Sequence, residues 1–323
     1  MTAADAAPAT AGGALVVDTM TGGMTGVTAG YLVPAARPAL IECGPALTID
    51  RTVTALHELG LDPDDLAWLV VTHVHLDHAG GAGDLLAAFP NARVVVSPRG
   101  ARHLVDPSRL NDSARRVYGP LYDTVYGPCT PIAADRVVAA EDGHVLDLGA
   151  GRTLEILDTP GHAKHHIGVF DPDHGTVFSG DSVGVRLEGM RALRPATPPA
   201  DFNLSTMLGS LARYREREPA HLLLAHYGDV GPASEVLAEA EERVGAWVAA
   251  AEAARAAVPE HEDEVDHVAA MLAHRFADDL APDPEAGAAA EARIALLNDP
   301  RSNAAGILRY LRRRDEGTLT PLG

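Results

Sequence analysis

The pentapeptide Ala67-Trp68-Leu69-Val70-Val71 is almost unbroken apolar sequence, and it ends abruptly in Thr72-His73-Val74-His75-Leu76-Asp77-His78-Ala79-Gly80-Gly81. A strand with no polar face has to be covered on both sides, which calls for a sheet with a layer above and a layer below it. A helix over 83–89 and a strand over 93–96 follow, and the order strand, loop, helix, strand points to a layered α/β domain. Upstream, the short runs Leu15-Val16-Val17, Gly30-Tyr31-Leu32-Val33 and Leu40-Ile41-Glu42-Cys43 read as a strand meander, and 48–59 reads as a helix ended by Gly60.

Beyond 98 the pattern weakens to one or two helices near 108–117 and a loop carrying Tyr118, Tyr122 and Tyr126, placed to cover a site as a lid. Strands over 145–148, 153–157, 167–170 and 176–178 make a second β-rich half, with Asp173-His174-Gly175 as a hairpin turn. A Pro-rich loop over 194–199, a helix over 203–216 and a strand over 222–225 come next, and from Pro232 the chain reads as helix, broken at Pro259, Pro282 and Pro300. The expected organisation is a tail over 1–13 that buries nothing, a catalytic domain over 14–258 and a helical C-terminal extension over 259–323. The apolar stripe Ile307, Leu308 and Leu311 of that extension is expected to pack on the core or to make a homodimer contact.

The 323 residues carry 26 Lys and Arg against 45 Asp and Glu, a net charge of −19. Such a field repels phosphate backbones and anionic lipid surfaces, which excludes a broad nucleic-acid binder. No apolar run approaches the roughly 20 residues of a membrane helix. Two cysteines, Cys43 and Cys129, make no disulfide framework, and the Ala-rich opening lacks the basic and apolar parts of a signal peptide. The expected protein is cytoplasmic, with a small-molecule substrate and neither nucleic acid nor membrane as partner.

Chemistry is concentrated in the run that ends the buried strand, where His73, His75, Asp77 and His78 fall within six positions. On an irregular loop, residues i and i+2 can converge on one ion while i+4 and i+5 turn toward a second. Imidazole and carboxylate together suit zinc, iron or manganese, whereas magnesium and calcium sites are dominated by oxygen. Three later residues stand just past a strand in the same way: His162 in Thr-Pro-Gly-His, Asp181 in Ser-Gly-Asp and His226 in Leu-Leu-Ala-His. Strand ends line one edge of a layered sheet, which is where α/β folds place their sites.

The run His73-x-His75-x-Asp77-His78, followed in order by His162, Asp181 and His226, closely resembles the metallo-β-lactamase superfamily and, within it, the glyoxalase II-like dinuclear hydrolases. The resemblance implies an αββα sandwich of two mixed β-sheets flanked by helices. It implies His73, His75 and His162 on one metal, Asp77, His78 and His226 on the other, and Asp181 bridging them. It also gives Asp77 a catalytic role, orienting the attacking water and passing its proton to the leaving group. Glu42 stands in a strand that in the family ends in Asp-x-Gly, and is expected to orient a ligand histidine. Two divalent ions, zinc by expectation with iron or manganese as alternatives, lower the pKa of a shared water from about 16 toward neutrality. No serine or cysteine nucleophile is then needed, and Cys43 and Cys129 read as small apolar residues.

The expected activity is hydrolysis of an ester, thioester or lactone. A mononuclear iron enzyme of the persulfide dioxygenase kind is an alternative, as is a phosphodiesterase on the same metals, which the net charge and the single lysine, Lys164, disfavour. A sensor role, with the metal site structural, stands against an open hydrolytic site. His165 and His166 are left out of the ligand set. Tyr227 reads either as an oxyanion donor or as a packing residue, and the loop tyrosines read as solvent-facing or as lining the substrate mouth.

Overall fold

In the computed structural model, which describes residues 12–297 and 300–319, the apolar runs assemble into two mixed six-stranded sheets. Of the expected tail over 1–13, all but Gly12 and Gly13 lies outside the described residues. The first sheet takes its strands in chain order: β1 (Leu15–Asp18), β2 (Ala29–Val33), β3 (Ala39–Ile41), β4 (Trp68–Val70), β5 (Arg93–Val96) and β6 (Val137–Ala139). Strands β1 to β3 form an antiparallel meander, and β3 to β6 run parallel. Parallel neighbours need crossovers. These are α1 (Ile49–Glu58) before β4, α2 (Leu76–Ala79) and α3 (Ala82–Ala88) before β5, and α4 (Pro98–Val105) and α5 (Ser108–Tyr118) before β6.

The second sheet holds β7 (Val145–Asp147), β8 (Thr153–Asp158), β9 (Ile167–Asp171), β10 (Thr176–Phe178), β11 (His221–Leu224) and β12 (Gly228–Asp229), antiparallel except where β10 and β11 run parallel. The two sheets meet face to face. Tyr31, Ile41, Val70 and Val95 of the first share one buried cluster with Leu146, Ile156, Val169 and Phe178 of the second, and the Tyr31 and Phe178 rings lie 5.4 Å apart. Each such side chain contributes on the order of 1.5–3 kcal/mol by leaving water.

The chain divides into two compact units. The first holds both sheets and α1 to α5, and comprises the described residues up to Asp158 with His165–Gly180 and Ala220–Asp229. The second is helical apart from its loops: Thr159–Lys164, Asp181–Pro219 and the described chain from Val230 onward. Its helices are α6 (Leu204–Glu216), α7 (Ala233–Arg255), α8 (Glu264–Arg275), α9 (Ala277–Leu280), α10 (Gly287–Leu297) and α11 (Pro300–Asp315). Asn203 and Asp263 cap α6 and α8 by accepting hydrogen bonds from Thr206 N and Asp266 N. Trp247 of α7 stacks on Phe276 at 5.0 Å. The stripe Ile307, Leu308 and Leu311 is buried in the same cluster, where α11 packs against α7 and α8.

Three features differ from the sequence expectation. Helix α4 was not foreseen, although Ser97 caps it by accepting from Gly100 N and Pro98 opens it. The edge strand β6 was not foreseen either: it is apolar but only three residues long, and none of them is fully buried. The tyrosine loop contains a π-helical turn over Tyr122–Tyr126, in which Tyr122 and Tyr126 are buried rather than solvent-facing.

Candidate metal centre

The parallel strands end at one edge of the first sheet, with Ile41 opposite Val70 and Val70 opposite Val95. That register brings the residues after β3 and β4 side by side. Glu42, with φ +63°, turns its buried carboxylate toward the β4 exit. Thr72 meets it with two donors: its hydroxyl bonds Oε1 of Glu42, and its backbone N–H bonds Oε2 at 3.3 Å. The same hydroxyl lies 3.0 Å from Nδ1 of His73, whose Nε2 faces Nδ1 of His75 at 2.8 Å.

The following turn, α2, carries Asp77 and His78. Nδ1 of His78 is 3.2 Å from Oε1 of Glu42, and Nε2 is 3.6 Å from Oδ2 of Asp77. His226, just past β11, presents Nε2 to the same Asp77 oxygen at 3.4 Å. Nδ1 of His226 donates to the Val27 carbonyl at 2.6 Å, so in the neutral ring Nε2 carries the lone pair. Two overlapping donor groups result, Glu42 with His73 and His78, and Asp77 with His78 and His226. Within each, the donor atoms lie within 4.8 Å of one another.

Two more of the expected site residues belong to the second unit. His162 donates from Nδ1 to the Ala196 carbonyl at 3.0 Å, and its Nε2 lies 3.5 Å from Oδ2 of Asp181. In His162 and His226 alike, a carbonyl holds one ring nitrogen and leaves the other to face a carboxylate, the arrangement by which proteins orient imidazole ligands.

The donor set fits a divalent transition metal. Imidazole nitrogens and carboxylates gathered in a buried place are costly without a cation to neutralise the carboxylates, and the mixture is that of zinc, iron or manganese sites. The two cysteines take no part. Burial pushes the Cys129 thiol up to about 12 and the Cys43 thiol well above its ordinary value, so neither is a nucleophile near neutral pH.

His166 is buried 5.1 Å, ring to ring, from His73. Gly180, with φ +51°, makes room for it: a Cβ there would stand 2.6 Å from Nε2 of His166 and 2.5 Å from Oγ1 of Thr72. The Tyr227 hydroxyl, weighed from the sequence as an oxyanion donor, donates to Oδ2 of Asp18 at 3.1 Å. Thr72, which joins Glu42 to His73, was missed; its only signal was its place at the head of the histidine run.

Comparison with known proteins agrees with this architecture. A model of the metallo-beta-lactamase superfamily matches residues 10–226. A metallo-beta-lactamase fold-containing protein of Sulfurisphaera tokodaii is 34% identical over 197 residues, covering 59% of this chain and 73% of that one. A hydroxyacylglutathione hydrolase of Stenotrophomonas maltophilia is 30% identical over 185 residues, covering 56% of this chain and 55% of the enzyme, so the match spans about half of that relative's length. The crystal structure of an archaeal metallo-beta-lactamase superfamily protein from Sulfolobus tokodaii superposes with a TM-score of 0.65 at 25% identity, over 93% of this chain and 98% of that one. A family protein from Thermus thermophilus, at 21% identity and a TM-score of 0.62 over 89% of each chain, shares the fold. With two mixed sheets face to face, the histidine run at their edge and a family match over more than half its length, the chain belongs to the metallo-β-lactamase superfamily.

Proposed function

We propose that this chain is a dinuclear metal-dependent hydrolase that cleaves an ester, thioester or lactone of a small organic substrate. The observation that carries the reading is that one short loop gives rise to two donor sets, the facing nitrogens of His73 and His75 at 2.8 Å and the buried group of Asp77 and His78 with His226. A loop built for one structural ion needs only one such group. Relatives named as hydroxyacylglutathione hydrolases and N-acyl homoserine lactonases support acyl transfer to water as the reaction class.

The proposed assignment follows the order of residues in the family. His73, His75 and His162 would hold one ion and Asp77, His78 and His226 the second, with Asp181 available to both. Two divalent cations held there would supply a water ionised near neutral pH and polarise the scissile carbonyl. The chain's own groups do the rest. Glu42 fixes the ring of His78, Val27 and Ala196 fix the tautomers of His226 and His162, and Asp77 accepts the water proton and returns it to the leaving oxygen or sulfur. Water adds to the acyl carbon, the bond to the leaving group breaks, and the products are an acid and an alcohol or thiol.

The test is metal content per chain, by elemental analysis of protein purified without added metal, for wild type and Asp181→Ala. Near two metals in the wild type and fewer in the variant, with hydrolysis in a screen of thioesters, lactones and phosphodiesters, is the expected result. A single iron with no hydrolysis overturns the reading in favour of an oxygen-consuming mononuclear enzyme.

A further inference from the structure

Helices α4 and α5 run against the charge of the chain as a whole. Between Arg99 and Arg116 stand five arginines and two aspartates, in a protein of net charge −19. One of those aspartates, Asp106, is occupied at the break between the helices, accepting from the Ser108 hydroxyl at 2.6 Å and the Ser108 N–H at 3.1 Å. At the far end Arg115 is engaged, lying 4.4 Å over the Tyr122 ring and 3.2 Å from Asp123. The near end, α4, is fastened to the metal loop.

Ser97, the N-cap of α4, donates its hydroxyl to the His165 carbonyl at 2.9 Å. Gly100 permits the close approach, because a Cβ there would stand 2.7 Å from a Val96 methyl and 3.2 Å from a Val74 methyl. Val74, inside the histidine run, donates its N–H to Nδ1 of His165 at 3.4 Å. The His165 ring then lies 6.0 Å from that of His75 on one side and 6.4 Å from that of His103 on the other. Nε of Arg102 donates to Nε2 of His103 at 3.3 Å. Arg99, Arg102 and His103 are three and four positions apart on α4, which puts them on one face, and both arginines are exposed. A continuous row of nitrogen-bearing side chains thus leads from His75 through His165 and His103 to two exposed guanidinium groups.

We infer that this row is a subsite for an oxyanion, carboxylate or phosphate, carried by the substrate, so that the enzyme acts on anionic esters or thioesters. The inference rests on the hydrolase reading above. An acidic protein repels such substrates at long range, and a local pair of guanidinium groups at the outer end of this row reverses the field on the way to the reacting centre. Guanidinium is suited to this task because its fork meets a carboxylate or phosphate with two parallel hydrogen bonds.

Two pairs of thioesters test this: the acetyl thioesters of 2-mercaptoethanol and of 3-mercaptopropanoate, and the butanoyl and succinyl thioesters of 2-mercaptoethanol. Within each pair the reacting group is the same and only one member is an anion. Wild type is expected to favour the anionic member of at least one pair by about tenfold or more in kcat/KM, chiefly through KM, as loss of charge-assisted hydrogen bonds implies. The anionic-to-neutral ratio is expected to collapse in Arg99→Gln/Arg102→Gln and to persist in Arg109→Gln. Salt is expected to lower kcat/KM for the anionic member more than for the neutral one. Equal rates within both pairs, or a ratio unchanged in the double variant, overturn the inference. Calorimetric titration of succinate into wild type and the double variant separates the two readings. If no thioester is turned over, the hydrolase reading fails and calorimetry alone decides the subsite: weaker binding in the variant supports it, and equal binding overturns it.

Discussion

Oε1 of Glu42 and Nδ1 of His78 face each other at 3.2 Å, both side chains buried, with the Thr72 hydroxyl bonded to the same carboxylate. Glu42 reaches this position with φ +63°, a region that costs a residue other than glycine about 1–3 kcal/mol and persists only where surrounding contacts over-determine it. A carboxylate that fixes a ligand imidazole raises its basicity and sets its tautomer, and losing such a partner typically lowers metal affinity about 10–100-fold. Glu42→Gln keeps the size and removes the charge. The expected outcome is a fold-loss in that range, read by competition with a chromophoric chelator, with the melting temperature little changed. Unaltered affinity would make Glu42 a packing residue.

Asp77 is the group to which His78 and His226 both turn, at 3.6 and 3.4 Å. It is assigned two roles, and substitution separates them. Asp77→Asn is expected to lower kcat by about 10²–10⁴-fold, the span of a lost general acid–base, and to weaken the second metal. Raising free metal until elemental analysis matches wild type restores occupancy. Turnover that stays low at full occupancy is the expected signature of the proton role, whereas full recovery would reduce Asp77 to a ligand.

What the sequence displayed well was local. The histidine run, the apolar β4 and the order of helices and strands are encoded by neighbours a few positions apart, and the family pattern carried the layered fold. Glu42 was singled out because it stands where the family's strand ends in Asp-x-Gly, but its hold on His78 depends on the register between β3 and β4, which only the folded sheet fixes. Helix α4 escaped because it has only eight residues and only Leu104 and Val105 as large apolar side chains, although Ser97-Pro98 is a legible start signal. The burial of Tyr122 and Tyr126 was illegible for a related reason, since a single π-helical turn is too short to display a sequence period.

Four buried acids are expected to weaken the fold at alkaline pH. Burial raises Cys129 from 9.0 and Tyr214 from 10.0 to about 12 each, and pushes Cys43 and Tyr31 further above their ordinary values. All four are neutral when protonated, so the folded state prefers the proton and the unfolded chain gives it up first. Stability from this source is complete below the ordinary values of 9.0 and 10.0 and is lost as pH rises through the folded values of about 12. Denaturant midpoints are expected to show no pH dependence from these groups below about pH 9 and to fall steadily above it. At pH 8 both thiols are expected to resist an aromatic disulfide reagent until the chain is unfolded; rapid reaction of the native protein would contradict their burial.

Gly180 offers the sharpest test of packing around the histidines. Its φ of +51° already disfavours any side chain, and an added methyl would meet Oγ1 of Thr72 at 2.5 Å and Nε2 of His166 at 2.6 Å. Neither neighbour is the loose end of a flexible chain. Thr72 is tied to Glu42, and His166 is buried under His73. Overpacking of this kind typically costs about 1–3 kcal/mol, with a comparable penalty for the backbone conformation. Gly180→Ala is therefore expected to lower the denaturant midpoint clearly and, by displacing Thr72, to reduce metal affinity as well. A variant that loses stability while binding metal as tightly as wild type would show that the Thr72 and Glu42 contact tolerates the shift. A variant unchanged in both would mean that His166 and Thr72 are not packed against Gly180 in solution.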